Sequence, residues 1–182
     1  MFECVDFHES AARFHSRSIP EHATAQIWVN HVAGPALVLG STQRDLSIID
    51  ADECAQRGVD IVRRRSGGGA VLLLPSAVTW FDAIIPTGAP GWAEDVHSPM
   101  VWLGERVAAA CRSAGVTQTL TVNGNSMVRT EWSTLICFDG LGPGEVLLDG
   151  RKLLGISQRR TRAALRLQCC WYHEVDSAAL AG

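Results

Sequence analysis

The alternation of apolar and polar positions along the chain divides it into many short elements of both periods. Residues of about 8–18 repeat with helical spacing and predict a short helix. Residues 25–32 and 36–40 then read as two strands interrupted at Gly34-Pro35. Asp50 followed three positions later by Glu53 is a capping-box-like helix start, and Gly58 ends that helix before a strand over 59–63. A glycine turn at 67–69 leads into the apolar run 70–74 and a strand over about 78–85. The clearest helix opens at Ser98-Pro99, with Met100, Leu103, Val107, Ala110, Cys111 and Ala114 on one stripe and Gly115 at its end.

After Thr134 the period becomes two, predicting strands at 135–138, 145–148, 151–157 and 164–171. Asp149-Gly150 is a strong two-residue hairpin turn, because both central positions of such a turn need positive φ. A tight turn there sets Leu148 opposite Arg151, Leu147 opposite Lys152 and Glu145 opposite Leu154, so that Glu145, Leu147, Lys152 and Leu154 share a face. These elements predict an α+β fold: a single domain with a mixed, mainly antiparallel sheet and helices on one face.

Composition narrows the choice. A chain of 182 residues suits one domain, and its 47% apolar and 19% charged residues are globular values. No apolar run approaches the ~20 residues that span a bilayer, and the first 20 residues lack a signal-peptide pattern. The expectation is a cytoplasmic protein without a membrane partner. A net charge of −3 argues against a nucleic-acid surface. Six cysteines at 4, 54, 111, 137, 169 and 170, and six histidines at 8, 15, 22, 31, 97 and 173, show no metal-ligand spacing, so no metal site is expected. The 16 basic residues are 15 arginines and one lysine, Lys152. Lysine is the compact cation, able to enter a pocket too narrow for a guanidinium.

Two segments carry candidate chemistry. Arg63-Arg64-Arg65-Ser66-Gly67-Gly68-Gly69-Ala70-Val71 joins fixed positive charge to a backbone free to approach a ligand, a pattern suited to a carboxylate or phosphate. It is equally a pattern for a basic strand end followed by a turn. Gly150-Arg151-Lys152-Leu153-Leu154-Gly155-Ile156-Ser157-Gln158 places the lone lysine on the predicted hairpin.

Together these two segments resemble the lipoyl-binding signature and the lysine strand of the lipoate-protein ligase A and octanoyltransferase family. The likeness spans about 25–160 and takes in Trp28, the apolar strand ending at Gly40, and Gln43. It implies the catalytic fold shared with biotin-protein ligases, here over residues 1–182 without the C-terminal accessory domain. It further implies an acyl site lined by Arg64, Arg65, Ser66, Gly67, Gly68, Gly69, Ala70 and Gly155, with Lys152 holding the reacting carbonyl or phosphate.

Cys137-Phe138-Asp139 is similar to octanoyltransferases that keep an acyl thioester on a cysteine in this loop, although a cysteine after Leu135-Ile136 is also a natural core residue. Two departures stand out. Leu72 to Ala77 replace the polar segment that usually follows the glycines, and Gly144-Glu145 stand where ATP-using members place an Asn-Asp pair.

The resemblance implies transfer of an octanoyl or lipoyl group to a lysine of a lipoyl domain by way of a Cys137 thioester, with Cys137 and Lys152 catalytic. It implies no cofactor for that route, or ATP and magnesium for the alternative ligase route through an acyl-adenylate. Lipoyl domains of 2-oxoacid dehydrogenase complexes or the glycine cleavage protein are the implied acceptors, and acyl carrier protein an implied donor. A non-catalytic lipoate or octanoate binding module is the third reading. Arg159, Arg160, Arg162 and Arg166 are a candidate cluster for an acidic partner, and Cys169-Cys170 is expected to be packing.

Overall fold

A computed structural model describes residues 2–44 and 49–173. The elements run β1 (Glu3–Glu9), α1 (Ala11–Ser16), β2 (Gln26–Val32), β3 (Ala36–Leu39), α2 (Ala51–Gln56), β4 (Asp60–Arg63), β5 (Val71–Leu73), β6 (Val78–Pro86), α3 (His97–Ser113), β7 (Leu120–Val122), β8 (Val146–Leu148), β9 (Arg151–Arg160) and β10 (Ala164–Tyr172). A large sheet has the order β1-β2-β6-β10-β9-β8-β7, and a small one the order β4-β3-β5. Only β1–β2 and β3–β4 pair in parallel, so the α+β, mainly antiparallel expectation holds.

The large sheet is covered on both faces, not on one as its period-two pattern suggested. Phe81, Ala83 and Ile85 of β6 join Leu165 and Leu167 of β10 in a core against α3, through Met100, Leu103 and Val107. Trp80 faces the other way and packs with Phe14 of α1 and with Val38, Val62 and Val71 of the small sheet. A strand alternates its faces, and here both neighbours are apolar, so the two cores are equally continuous. Within α3 the buried stripe includes Gly104 and Ala108, while Ala110 and Ala114 are exposed.

The other differences have local causes. The segment 3–9 is a strand paired with β2, and the first helix is confined to Ala11–Ser16 behind Ser10, which accepts from Arg13 N. The mostly polar side chains of β1 gave no two-sided signal. Leu120–Val122 forms a third strand beside the hairpin, too short to carry a period of its own. Residues 135–138 are not a strand: turns surround a single parallel bridge between Ala70 and Ile136. Asp50 caps α2 as expected, accepting from Glu53 N at 2.9 Å. Asp95 caps α3 one residue early, accepting from His97 N and Ser98 N at 2.8 and 2.6 Å.

The 149–150 turn forms with φ of 48° and 80°, and Leu148 and Leu147 oppose Arg151 and Lys152 as expected. The register then shifts, and Val146 rather than Glu145 faces Leu154. One extra residue in β9 breaks the alternation. Leu154 enters the α3 core, whereas the Lys152 Cε lies 3.5 Å from the position a Gly155 Cβ would take. The shift parts Leu154 from Lys152, which is left beside the 137–140 loop, where it lines the open cleft.

Arg166 is fully buried and belongs to no surface cluster. Its guanidinium donates to Asp82 Oδ2 at 2.9 and 2.5 Å, to Phe14 O at 2.7 Å and to Arg17 O at 2.8 Å, which ties the end of α1 to the sheet. Burial pushes the Asp82 carboxyl upward, and Arg166 and Trp80 oppose that shift. Removing one partner of such a pair strands the other in the core. Arg166→Met is expected to lower the unfolding free energy by about 3–5 kcal/mol, and the double variant Asp82→Leu/Arg166→Met to recover most of the loss in urea denaturation.

Candidate active site

The gap between the small sheet and β9–β10 is a narrow apolar slot. It encloses about 450 Å³ of atom-free space, its open mouth included. Val38, Val71, Leu73, Trp80, Phe138 and Cys170 supply most of its wall. One end opens into a broad cleft of about 1570 Å³, and Arg64, Cys137, Ile156 and Ser157 line both spaces. Cys137 therefore stands where an apolar channel meets open surface.

The loop carrying Cys137 is held by backbone contacts that require glycine. Ala70 N donates to Leu135 O at 2.7 Å, and Cys137 N donates to Ala70 O at 3.0 Å. A Cβ on Gly69 would lie 2.5–2.7 Å from the backbone of Ile136 and Cys137, so only glycine permits this approach. Gly68 has φ of 95°, and Gly67 is exposed with nothing near it. Gln43 completes the clamp, accepting from Gly40 N at 2.9 Å and donating to Thr134 O and Leu135 O at 3.2 and 3.0 Å.

Arg64 is buried beneath the glycine turn. One of its terminal nitrogens donates to Gly67 O at 2.9 Å and Gly69 O at 3.0 Å, and faces Cys137 Sγ at 3.5 Å. Its Nε is buried without a partner. Arg65 points away into the open cleft and is exposed. Ser66 Oγ meets Ser157 Oγ at 3.3 Å, joining the turn to β9.

Lys152 spends its three N–H groups inside the protein. Its Nζ donates to Cys137 O and Gly140 O at 2.9 Å each and pairs with Glu145 Oε2 at 2.8 Å, with the Phe138 ring 5.0 Å away. Glu145 also accepts from Gly142 N at 2.6 Å and Ile156 N at 3.2 Å. In this arrangement the ammonium braces the cysteine loop, and its donors are already engaged. Glu145 is placed by Gly144, where a Cβ would lie 2.1 Å from Met100 O of α3.

The predicted residues thus converge, apart from Arg65 and Gly67 at the outer rim. The arginine cluster does not: Arg166 is in the core, Arg160 donates to Ala93 O and Asp95 O, and Arg162 is exposed. The Cys169-Cys170 pair packs as expected, Cys169 in the α3 core and Cys170 against the small-sheet core; both also border the slot, and burial pushes the Cys170 thiol up to about 12. His15, Trp80 and Gln168 of the slot lie on separate elements and carried no sequence signal. The sole available hint was period two in β6 and β10.

Comparison with known proteins places the fold in a family. Residues 5–182 match the Lipoyl protein ligase A/B catalytic domain. The chain belongs to that family. It is 28% identical over 142 residues to the Octanoyltransferase LipM of Exiguobacterium sp., covering 76% of this chain and 49% of that protein. It is 31% identical over 126 residues to the Octanoyltransferase LipM of Moorella thermoacetica, covering 69% of this chain and 45% of that one. The chain spans about half the length of these curated relatives. A structure of lipoate-protein ligase A bound with ATP superposes with a TM-score of 0.71 at 14% identity, over 99% of this chain and 70% of that one, which shows the shared fold. Among the described residues no helix is long and apolar enough to cross a membrane, and no cluster of three or more His, Cys, Asp or Glu is placed to hold a metal.

Two outcomes follow for the site. Lys152→Arg places a wider guanidinium where a compact ammonium meets three acceptors, and should displace the 137–140 loop. A folded variant with unaltered alkylation rate at Cys137 would contradict that bracing role. The second concerns pH. Burial, then Arg64 and Arg166, lower the His15 pKa from 6.5 to about 3. Between those values the unfolded chain binds a proton that the folded chain refuses, so stability falls as the pH drops from 6.5 toward 3. His15→Phe should flatten that slope when denaturation midpoints at pH 7 and pH 4 are compared.

Proposed function

We propose that this domain carries an octanoyl or lipoyl group on Cys137 and passes it to a lysine of a lipoyl domain. The observation behind this reading is the position of the Cys137 sulfur at the junction of an apolar slot and an open cleft, 3.5 Å from the Arg64 guanidinium. The slot takes the hydrocarbon, at about 0.8 kcal/mol per buried methylene. The cleft admits first the donor and then the acceptor. In the first half-reaction the sulfur forms a bond to the acyl carbon, the donor thioester bond breaks, and the proton leaving Cys137 goes to the departing thiol. In the second, the acceptor amine attacks the Cys137 thioester, the amide forms, and the amine proton returns to the sulfur. Lys152 acts by fixing the loop, and Arg64 by facing the sulfur.

The alternative is the ATP-dependent ligase route, in which Arg64, Arg65 and the glycine-turn amides would receive a phosphate. The residues fit it less well. Lys152 has no donor left for phosphate. The thioester route does not require one.

Incubation with octanoyl carrier protein and apo lipoyl domain, and separately with lipoate, ATP and magnesium, distinguishes the routes by the mass of the acceptor. Transfer is expected in the first mixture, with an octanoyl adduct on Cys137. Cys137→Ala should abolish both adduct and transfer, while Cys137→Ser should keep a slow oxyester. Full activity of Cys137→Ala with lipoate and ATP would establish the ligase route instead. Octanoate binding without transfer in either mixture would make the domain a binding module.

A further inference from the structure

His15 occupies a position that neither the cysteine loop nor the lysine hairpin explains. It projects from α1, and it is the one residue that lines both the apolar slot and a separate outer pocket of about 610 Å³. The slot reaches the open cleft at Cys137 and Arg64, so the wall shared with the outer pocket is a different boundary. The His15 ring rests on Trp80, with centroids 4.8 Å apart. Beyond it the outer pocket continues past Ala12, Ser16, Ile61, Arg63 and Arg65, the last of which also borders the open cleft, and Ile61 leaves an apolar side chain 39% exposed there. The position of α1 is fixed by Arg166, which donates to Phe14 O and Arg17 O on either side of His15.

We propose that His15 is the stop at the far end of the acyl slot, a specificity-determining residue that limits the acyl chain by closing off the pocket behind it. The proposal rests on the acyl-transfer reading, since it assigns the slot to a hydrocarbon. Burial keeps the ring neutral over the ordinary pH range, and a neutral aromatic ring is a compatible end wall for a methyl terminus. Truncating the side chain joins slot and outer pocket into one passage. The added methylenes of a longer chain then have a place to go.

Calorimetry with hexanoate, octanoate, decanoate, dodecanoate and tetradecanoate tests this on the intact chain without any transfer step. In the wild-type protein affinity should rise about fourfold per methylene while the slot fills, and stop rising near octanoate. In His15→Ala the rise should continue to decanoate or dodecanoate. Alanine is the best helix former, so α1 is expected to persist, and His15→Val reads the same effect should the alanine variant fail to fold. His15→Phe, which keeps a ring on Trp80, should retain the wild-type limit. The same limit in the wild type and in a folded truncation variant overturns the role of His15 while leaving the acyl slot standing, as does an unbroken rise to tetradecanoate in the wild type. No binding of any fatty acid by the wild type overturns the acyl reading, and this proposal with it.

Discussion

The site depends on one buried ammonium. Lys152 Nζ is held by two carbonyls of the cysteine loop and by the Glu145 carboxylate, and Glu145 in turn collects N–H groups from Gly142 and Ile156. Such an arrangement is weak evidence for stability, because desolvating two charges offsets most of their attraction. Its consequence is geometric. Loop and hairpin share one point of attachment, so the Cys137 carbonyl cannot move without leaving an ammonium N–H unpaired in a half-closed space. In the transfer proposed for Cys137 that restraint would hold the sulfur in place for two different partners in succession.

The channel itself is a product of two sheets that do not pair. The small sheet reaches the large one through side chains and through Tyr172 OH donating to Leu72 O at 2.5 Å. Side chains of ordinary size keep the two backbones apart. The remaining gap is the slot, open where Arg64 and Cys137 stand. Arg64 closes the turn over it by bonding the carbonyls of Gly67 and Gly69, which leaves its Nε buried without a partner.

Much of the helix and strand inventory was legible. The Asp50 and Glu53 capping signal found α2, apolar patterning found α3 and β6, and the Asp149-Gly150 turn fixed the first two pairs of the hairpin, because these signals arise from neighbours in the chain. Elements without a local signal were missed. Polar β1 is held by pairing with β2, and the segment 135–138 is a turn whose Cys137 and Phe138 line the slot rather than a strand. Arg166 read as surface charge, since nothing nearby in the sequence announces that Asp82 lies across the strand pair to receive it.

The sequence by itself supplied the candidates, three glycines after an arginine run, a cysteine between apolar residues and a single lysine on a hairpin, and their chemistry was legible only through the resemblance of these segments to a family's motifs. Tertiary structure decided where each of them stands. A one-residue register shift in β9 parted Lys152 from Leu154 and left it on the cysteine loop, and the joining of two sheets made His15 and Cys137 neighbours of one channel although 122 positions separate them. Local periodicity is written in adjacent residues, whereas a bulge and a sheet-to-sheet distance are set by the sum of packing contacts from distant segments.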